Sequence, residues 1–229
     1  MSKEQQVSTI ALEMIDRAAA QHAFDQHPAL ESWATGSIDR EALRAFAPQL
    51  YMLFDAWPRM VSAAHAISDD RTVRRELVAA LQALEGTNPS PAERWLQTCA
   101  ALGLFSDSVR AATPSEATEA CINDLTYLAG SSSSAAIASL IMFARNIRIL
   151  CRKAHQGAPA LGLSDGPGAA FFDDVSYTAE VQERGLRSAL AIAAAADSER
   201  MSNIEHAALA TQVAMRGMFT ASMQVLSPA

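Results

Sequence analysis

Cysteine is scarce in this chain. Cys99, Cys121 and Cys151 are the only three among 229 residues. Each sits in an apolar run, and three scattered thiols make neither a disulfide framework nor a zinc knuckle. Buried free thiols in a reducing compartment are expected. Positive charge is also short: 18 Lys and Arg stand against 25 Asp and Glu, for a net charge of −7 and a pI near 5.2. That balance leaves no electrostatic footprint for nucleic acid or for an anionic membrane surface. No run is read as reaching membrane-spanning length, and the opening MSKEQQVSTIALEMIDRAAA lacks the apolar centre of a signal peptide. A soluble, cytoplasmic protein with neither nucleic acid nor membrane as partner is the expectation.

The familiar chemical signatures are missing too. There is no GxGxxG, no Walker loop, no HExxH and no Glu-x-x-His pair, and no serine lies in a nucleophile elbow. The five histidines, His22, His27, His65, His155 and His206, include no two within four residues of each other. Motifs alone therefore predict no metal and no cofactor.

What the chain has in plenty is helix. Half of its residues are hydrophobic and 19% are charged, a globular and rather apolar composition with ample length for a core. Val7, Ile10, Ala11, Met14, Ile15 and Ala18 form a helical stripe; His27-Pro28 then breaks the chain. A short piece follows over 28–34, ended by Thr35-Gly36. Ser37 is read as the cap of the next helix, with Asp39 and Glu41 in its first turn. Another helix covers 69–84. Ser90-Pro91-Ala92-Glu93 is a capping box, and Thr113-Pro114-Ser115-Glu116 is read as the same device before a helix over 117–129. Long helices follow over 135–154, 169–195 and 198–226. No segment alternates with period two strongly enough to be a strand. The reading is a single all-α domain over 1–229.

The chain is organised around FAPQLYMLFDAWPRMVSAAHA, 46–66. Leu50, Phe54, Trp57, Val61 and Ala64 make one apolar face at helical spacing. Beside it run Tyr51, Asp55, Pro58, Ser62 and His65. A surface helix normally shows Lys and Glu to water, whereas this stripe carries a phenol, a carboxylate, a hydroxyl and an imidazole. Two readings stay open: a partly exposed face kinked at Pro58, or the wall of an internal pocket. Farther on, Arg148 lies next to the inward line Ala144, Ile147 and Cys151, with Arg145 and Arg152 further round. An inward arginine must pair with a carboxylate, such as Asp55, or meet an anion.

Several phrases carry a resemblance. They are HPALESWATGSIDREALRAFAPQLYMLFDAWPRMVSAAHA at 27–66, PAERWLQTCAALGL at 91–104, TPSEA at 113–117, AAIASLIMFARNI at 135–147 and FFDDVSYTAEV at 171–181. In this order they resemble the heme-oxygenase-like superfamily, and within it the di-iron oxidase branch of the chlamydial para-aminobenzoate synthases. Thiaminase II and pyrroloquinoline-quinone synthase are similar in fold but match less closely. The resemblance implies a seven-helix up-and-down bundle with a buried central pocket. It also implies six iron ligands in the metal-dependent members, and these fall on Leu84, Pro91, Ala144, Val175, Ala179 and Gln182. Sliding the last helix by one gives Ser176, Glu180 and Glu183, still without a histidine. The unshifted register makes Val175, Ala179, Gln182, Leu186 and Ala189 one inward stripe and leaves Glu180, Glu183 and Arg187 to water.

Two functions follow. In the first, the chain is a metal-independent enzyme of a biosynthetic pathway, converting a small molecule without a cofactor. Tyr51 and Asp55 are then the acid/base candidates, since a phenol and a carboxylate one turn apart can share a proton. Arg148 would hold a substrate anion, and Gln182, Tyr177 and His65 would complete the binding site. In the second, the chain is a silent binding or partner subunit of a related di-iron oxidase, in a homodimer or a heteromer. An enclosed pocket with convergent polar groups separates the two.

Overall fold

The computed structural model describes residues 3–196 and 201–226. Among these residues there are ten α-helices and no strand. They are α1 (Lys3–Gln21), α2 (Pro28–Ala34), α3 (Arg40–Ala66), α4 (Arg71–Glu85), α5 (Pro91–Ala101), α6 (Ser106–Arg110), α7 (Glu116–Ala129), α8 (Ser133–Gly157), α9 (Pro167–Ala196) and α10 (Met201–Leu226). Short 3-10 turns at Phe24–Gln26 and Ala158–Leu161 join neighbours. The two short helices, α2 and α6, are connectors, so the count exceeds the seven that the resemblance implies. The start expected at Ser198 lies outside the described residues.

Local chemistry explains most helix starts. Ser90 Oγ accepts from Glu93 N at 3.3 Å while Glu93 Oε2 accepts from Ser90 N at 2.8 Å, the reciprocal pair of a capping box. Asp70 caps α4 through Oδ1, which accepts from Thr72 N and Val73 N at 2.7 and 3.0 Å. Two expected caps move. Asp39, not Ser37, caps α3, accepting from Ala42 N, because Ser37 Oγ is held by Thr35 and by the Ser32 carbonyl. Ser115, not Thr113, caps α7, accepting from Thr118 N at 3.2 Å. The α2 cap is an imidazole: Ala29 N donates to His27 Nδ1.

Helices α8 and α9 share the largest contact in the bundle, and α10, α1, α5 and α4 pack around them. Helix α3 lies across α4, α5 and α7. Gly157 lets α8 end against α2: a Cβ there would stand 1.6 Å from the Trp33 carbonyl oxygen. One correction concerns α8. Together with the turn after it, over Ser133–Leu161, this helix is long and apolar enough to cross a membrane, contrary to the sequence reading. The most apolar window is 83% buried inside the bundle, as befits a core helix.

Rings knit the interior. Phe171 on α9 meets Trp95 on α5, Phe54 on α3 and its neighbour Phe172 at centroid distances of 5.0, 5.4 and 5.3 Å. Trp33 on α2 closes the group edge-on against Phe172. Trp57 packs on Phe143 of α8 at 5.3 Å. Such contacts add about 0.5–1.5 kcal/mol each beyond area burial.

Candidate functional site

Helix α3 presents the residues on which the site turns. Its inner face, Leu50, Phe54, Trp57, Val61 and Ala64, is wholly buried. The second stripe does not line an internal pocket. Asp55 and Ser62 are exposed, and Tyr51, Pro58 and His65 are half-buried. Asp55 Oδ2 accepts from Arg59 Nη2 at 2.8 Å, one turn along the same helix. The physical reason is angular: the stripe next to a buried face meets solvent unless another helix covers it, and nothing covers Asp55.

Tyr51 and Asp55 still share a site. Both line an open cleft of about 390 Å³ between α3 and the α6–α7 segment. Arg59, Arg110, Glu119 and Asn123 supply its other polar groups, and Met52, Pro114 and Ile122 its apolar wall. The Tyr51 ring packs against the core. The cleft thus gathers a phenol, two carboxylates, two guanidiniums and an amide, with neither His65 nor the other predicted binders among its lining residues.

Arg148 is held elsewhere. It is neither paired with Asp55 nor free for an anion: its Nη2 lies 3.0 Å from Glu183 Oε2. Glu183 is only 7% exposed, although the helical stripe left it to water. Arg187 Nε reaches the other Glu183 oxygen at 3.4 Å, while Arg187 and Arg145 both bind Asp16 Oδ1, at 2.7 and 2.9 Å. An alternating chain, Arg148–Glu183–Arg187–Asp16–Arg145, therefore ties α1, α8 and α9. Burial alone would raise the Asp16 pKa, but the hydrogen bonds and charges of Arg187 and Arg145 outweigh it and hold the carboxyl below its usual value.

Gln182 is buried, as the register requires, and its Nε2 donates to the Ala80 carbonyl at 3.1 Å. Tyr177 stands 70% exposed, on the rim of a second cleft of about 310 Å³ among α4, α5 and α9. Pro91 and Val175, two of the positions where the resemblance implies ligands, line that cleft beside an Arg94–Asp174 ion pair. Leu84, Ala144, Val175 and Ala179 are buried hydrocarbon. Among the described residues no three His, Cys, Asp or Glu side chains come together in a way that could hold a metal ion. The thiols are buried and unpaired; burial pushes Cys99 and Cys121 up to about 12 and Cys151 higher still, so none is a nucleophile.

Sequence reasoning missed a polar seam along α10. Asn146 Nδ2 donates to Gln212 Oε1 at 2.8 Å, Gln212 Nε2 donates to the His22 carbonyl at 2.6 Å, and Ser139 shares a 2.7 Å bond with Thr211. A Gln at 212 and an Arg at 216 in an otherwise apolar helix were the available signal. A third cleft, apolar and about 580 Å³, lies beside this helix, between Met218, Ala221 and Ser222 of α10, Phe46 and Gln49 of α3, and Ala117 and Ala120 of α7.

With this geometry in view, the comparisons are informative. A 4-aminobenzoate synthase of Chlamydia muridarum is 28% identical over 185 residues, 80% of this chain and 76% of that protein. The solved TenA homologue from P. horikoshii superposes with a TM-score of 0.74 at 10% identity, over 93% of this chain and 98% of that one. A domain with a heme oxygenase-like fold from Shewanella denitrificans gives 0.71 at 11%, over 98% and 94%. The all-α bundle is thus a heme-oxygenase-like fold, as the landmarks in the sequence implied. Residues 15–212 match the TENA/THI-4/PQQC family, and the chain belongs to it.

Proposed function

We propose that the chain is a biosynthetic enzyme that converts a small molecule without a resident di-iron centre, in the cleft between α3 and the α6–α7 segment. The observation that carries this reading is the company Tyr51 and Asp55 keep there: Arg59, Arg110, Glu119 and Asn123 line the same cleft. Tyr51 and Asp55 are the proton donor and acceptor, one helical turn apart. Arg59 orients Asp55, and Arg110 faces a substrate anion, the part first given to Arg148, whose guanidinium is engaged by Glu183. A cleft of about 390 Å³ suits a molecule the size of 4-aminobenzoate, the compound in the chlamydial relatives' name. The protein works in the cytoplasm.

The donor set supports metal independence. Leu, Pro, Ala, Val and Ala offer no ligand atom, and the Gln182 amide nitrogen donates to Ala80. These residues do not fit a pair of irons, and no step is routed through one. The test compares small molecules in cells with and without the protein, by mass spectrometry, alongside elemental analysis of the purified chain. A metabolite change that disappears with Tyr51→Phe or Asp55→Asn, at well under one iron per chain, is expected. Two tightly held irons, or full effect in both variants, would overturn the reading.

A second reading draws on the rings that fill the interior: a silent subunit paired with a competent relative, as a homodimer or a heteromer. In that case both variants leave the partner's activity intact, and substitutions on exposed apolar residues such as Phe105 do the damage.

A further inference from the structure

His27 has two hydrogen bonds that together fix its tautomer. The Ala29 main-chain N–H lies 3.1 Å from Nδ1 and can only donate, so Nδ1 carries no proton. Nε2 lies 3.0 Å from Thr220 Oγ1 and is therefore the protonated nitrogen, donating to that oxygen. The ring is 2% exposed and stands against Phe24 and Phe219, with centroids 6.4 and 6.1 Å away. It thus does two jobs in its neutral form: it caps α2, and it ties that cap to the last turns of α10.

We propose that His27 is a latch opened by acid: protonation at Nδ1 breaks the α2 cap and releases the end of α10. A doubly protonated ring has no acceptor left, so it turns a positive N–H toward the N–H of Ala29, at a helix start that already disfavours cations. Neither hydrogen bond survives unless the ring or the backbone moves. The same junction holds Arg216, whose Nη1 donates to the Ala23 carbonyl at 2.7 Å, and Phe219, which meets Phe24 and Phe46 at 5.2 Å each. Met218, Ala221 and Ser222, on the same turns of α10, form a wall of the 580 Å³ apolar cleft. Release of the latch therefore changes the width of that cleft.

The charged and titratable groups on the surrounding elements are Arg216 on α10, His22 at the end of the α1 segment, Asp25 on the 3-10 turn, Glu31 on α2, and Lys153 on α8, which pairs with Glu31. Among the described residues no carboxylate makes an ion pair with His27. Burial and the positive charge of Arg216 push the imidazole below its usual value, against the Arg216 carbonyl, which favours the charged ring. The sign follows directly. The neutral ring's contribution to stability is complete above the ordinary value of 6.5 and is lost as pH falls through the lowered folded value.

Hydrogen exchange on the full chain, at about pH 7.5 and about pH 5 and corrected for intrinsic rates, tests this. In the wild type, amides of 29–33 and 211–222 should exchange roughly tenfold faster, or more, in acid, with α5 and α9 unchanged. His27→Asn offers an amide oxygen to Ala29 N and does not titrate, so its exchange pattern should be the same at both values. Imidazole nitrogen spectra of the wild type, which need no variant, should show protonated Nε2 and bare Nδ1 at neutral pH. A proton on Nδ1, or an equal acid response in wild type and His27→Asn, would overturn the proposal.

Discussion

Leu50, Phe54, Trp57, Val61 and Ala64 on one face of α3, and Tyr51, Asp55, Pro58, Ser62 and His65 on the next, repeat with the same spacing. The first set is 0–2% exposed, while the second runs from half-buried to open. Spacing reports that residues share a face; it does not report what the face meets. An apolar stripe identifies its own environment, because only burial stabilises it. A polar stripe fits water and a wet internal wall equally well. The inner face of α3 fixes the position of the helix, leaving the outer face to chemistry or to solvent.

The largest expected effect breaks the inner face. Trp57→Ala removes a fully buried ring that packs on Phe143 and should destabilise the fold by about 3–5 kcal/mol in chemical denaturation. A loss under about 1 kcal/mol would mean that the interior is loosely packed and that room for a ligand exists there after all. That result would favour a central pocket over the outer cleft.

Much of this architecture was legible beforehand for the reason just given. The stripe Val175, Ala179, Gln182, Leu186 and Ala189 is buried throughout, as its periodicity required. The Ser90 capping box holds to the atom because both its partners lie within three residues. Arg148 was recognised as needing a partner, but the partner is Glu183, which stands beside the stripe and looked solvated. Pairing between helices depends on their rotation about one another, and no local pattern encodes that. For the same reason the cap of α3 was placed two residues early: Ser37 is an able cap, yet Thr35 and the Ser32 carbonyl hold its hydroxyl.

A middle-sized effect tests that pairing. Glu183→Gln removes the charge between Arg148 and Arg187 and leaves two guanidiniums facing one amide. Glu183 is nearly buried while the arginines are about a quarter exposed, so the cost should fall between the exposed and buried limits, about 2 kcal/mol. Asp16 adds a pH signature to the same chain of charges. Its lowered pKa contributes stability that is present above the ordinary carboxylate value of 3.8 and is lost as pH falls through the lowered one. Urea denaturation of wild type and Glu183→Gln near neutral pH checks the first claim. No change on substitution would place Glu183 in water, where the periodicity first put it.

The smallest effect on stability belongs to Asp55→Asn, and that is its use. The side chain is 48% exposed and its partner Arg59 is 71% exposed, so water screens their attraction and two long side chains lose freedom to make it. Asparagine keeps the shape and still accepts a hydrogen bond. The expected loss is below about 1 kcal/mol, and about 1 M salt should erase it by shrinking the reach of the charge to a few ångströms. Trp57→Ala should keep its full cost in the same salt, since burial of hydrocarbon is not screened. A loss for Asp55→Asn that rivals Trp57→Ala, or one indifferent to salt, would mean that the carboxylate is covered in solution. The outer face of α3 would then be an interface or an enclosed wall, and the contrast between the two faces would fail. A small, salt-sensitive loss leaves Asp55 in water beside Tyr51, free to be judged by its chemistry alone.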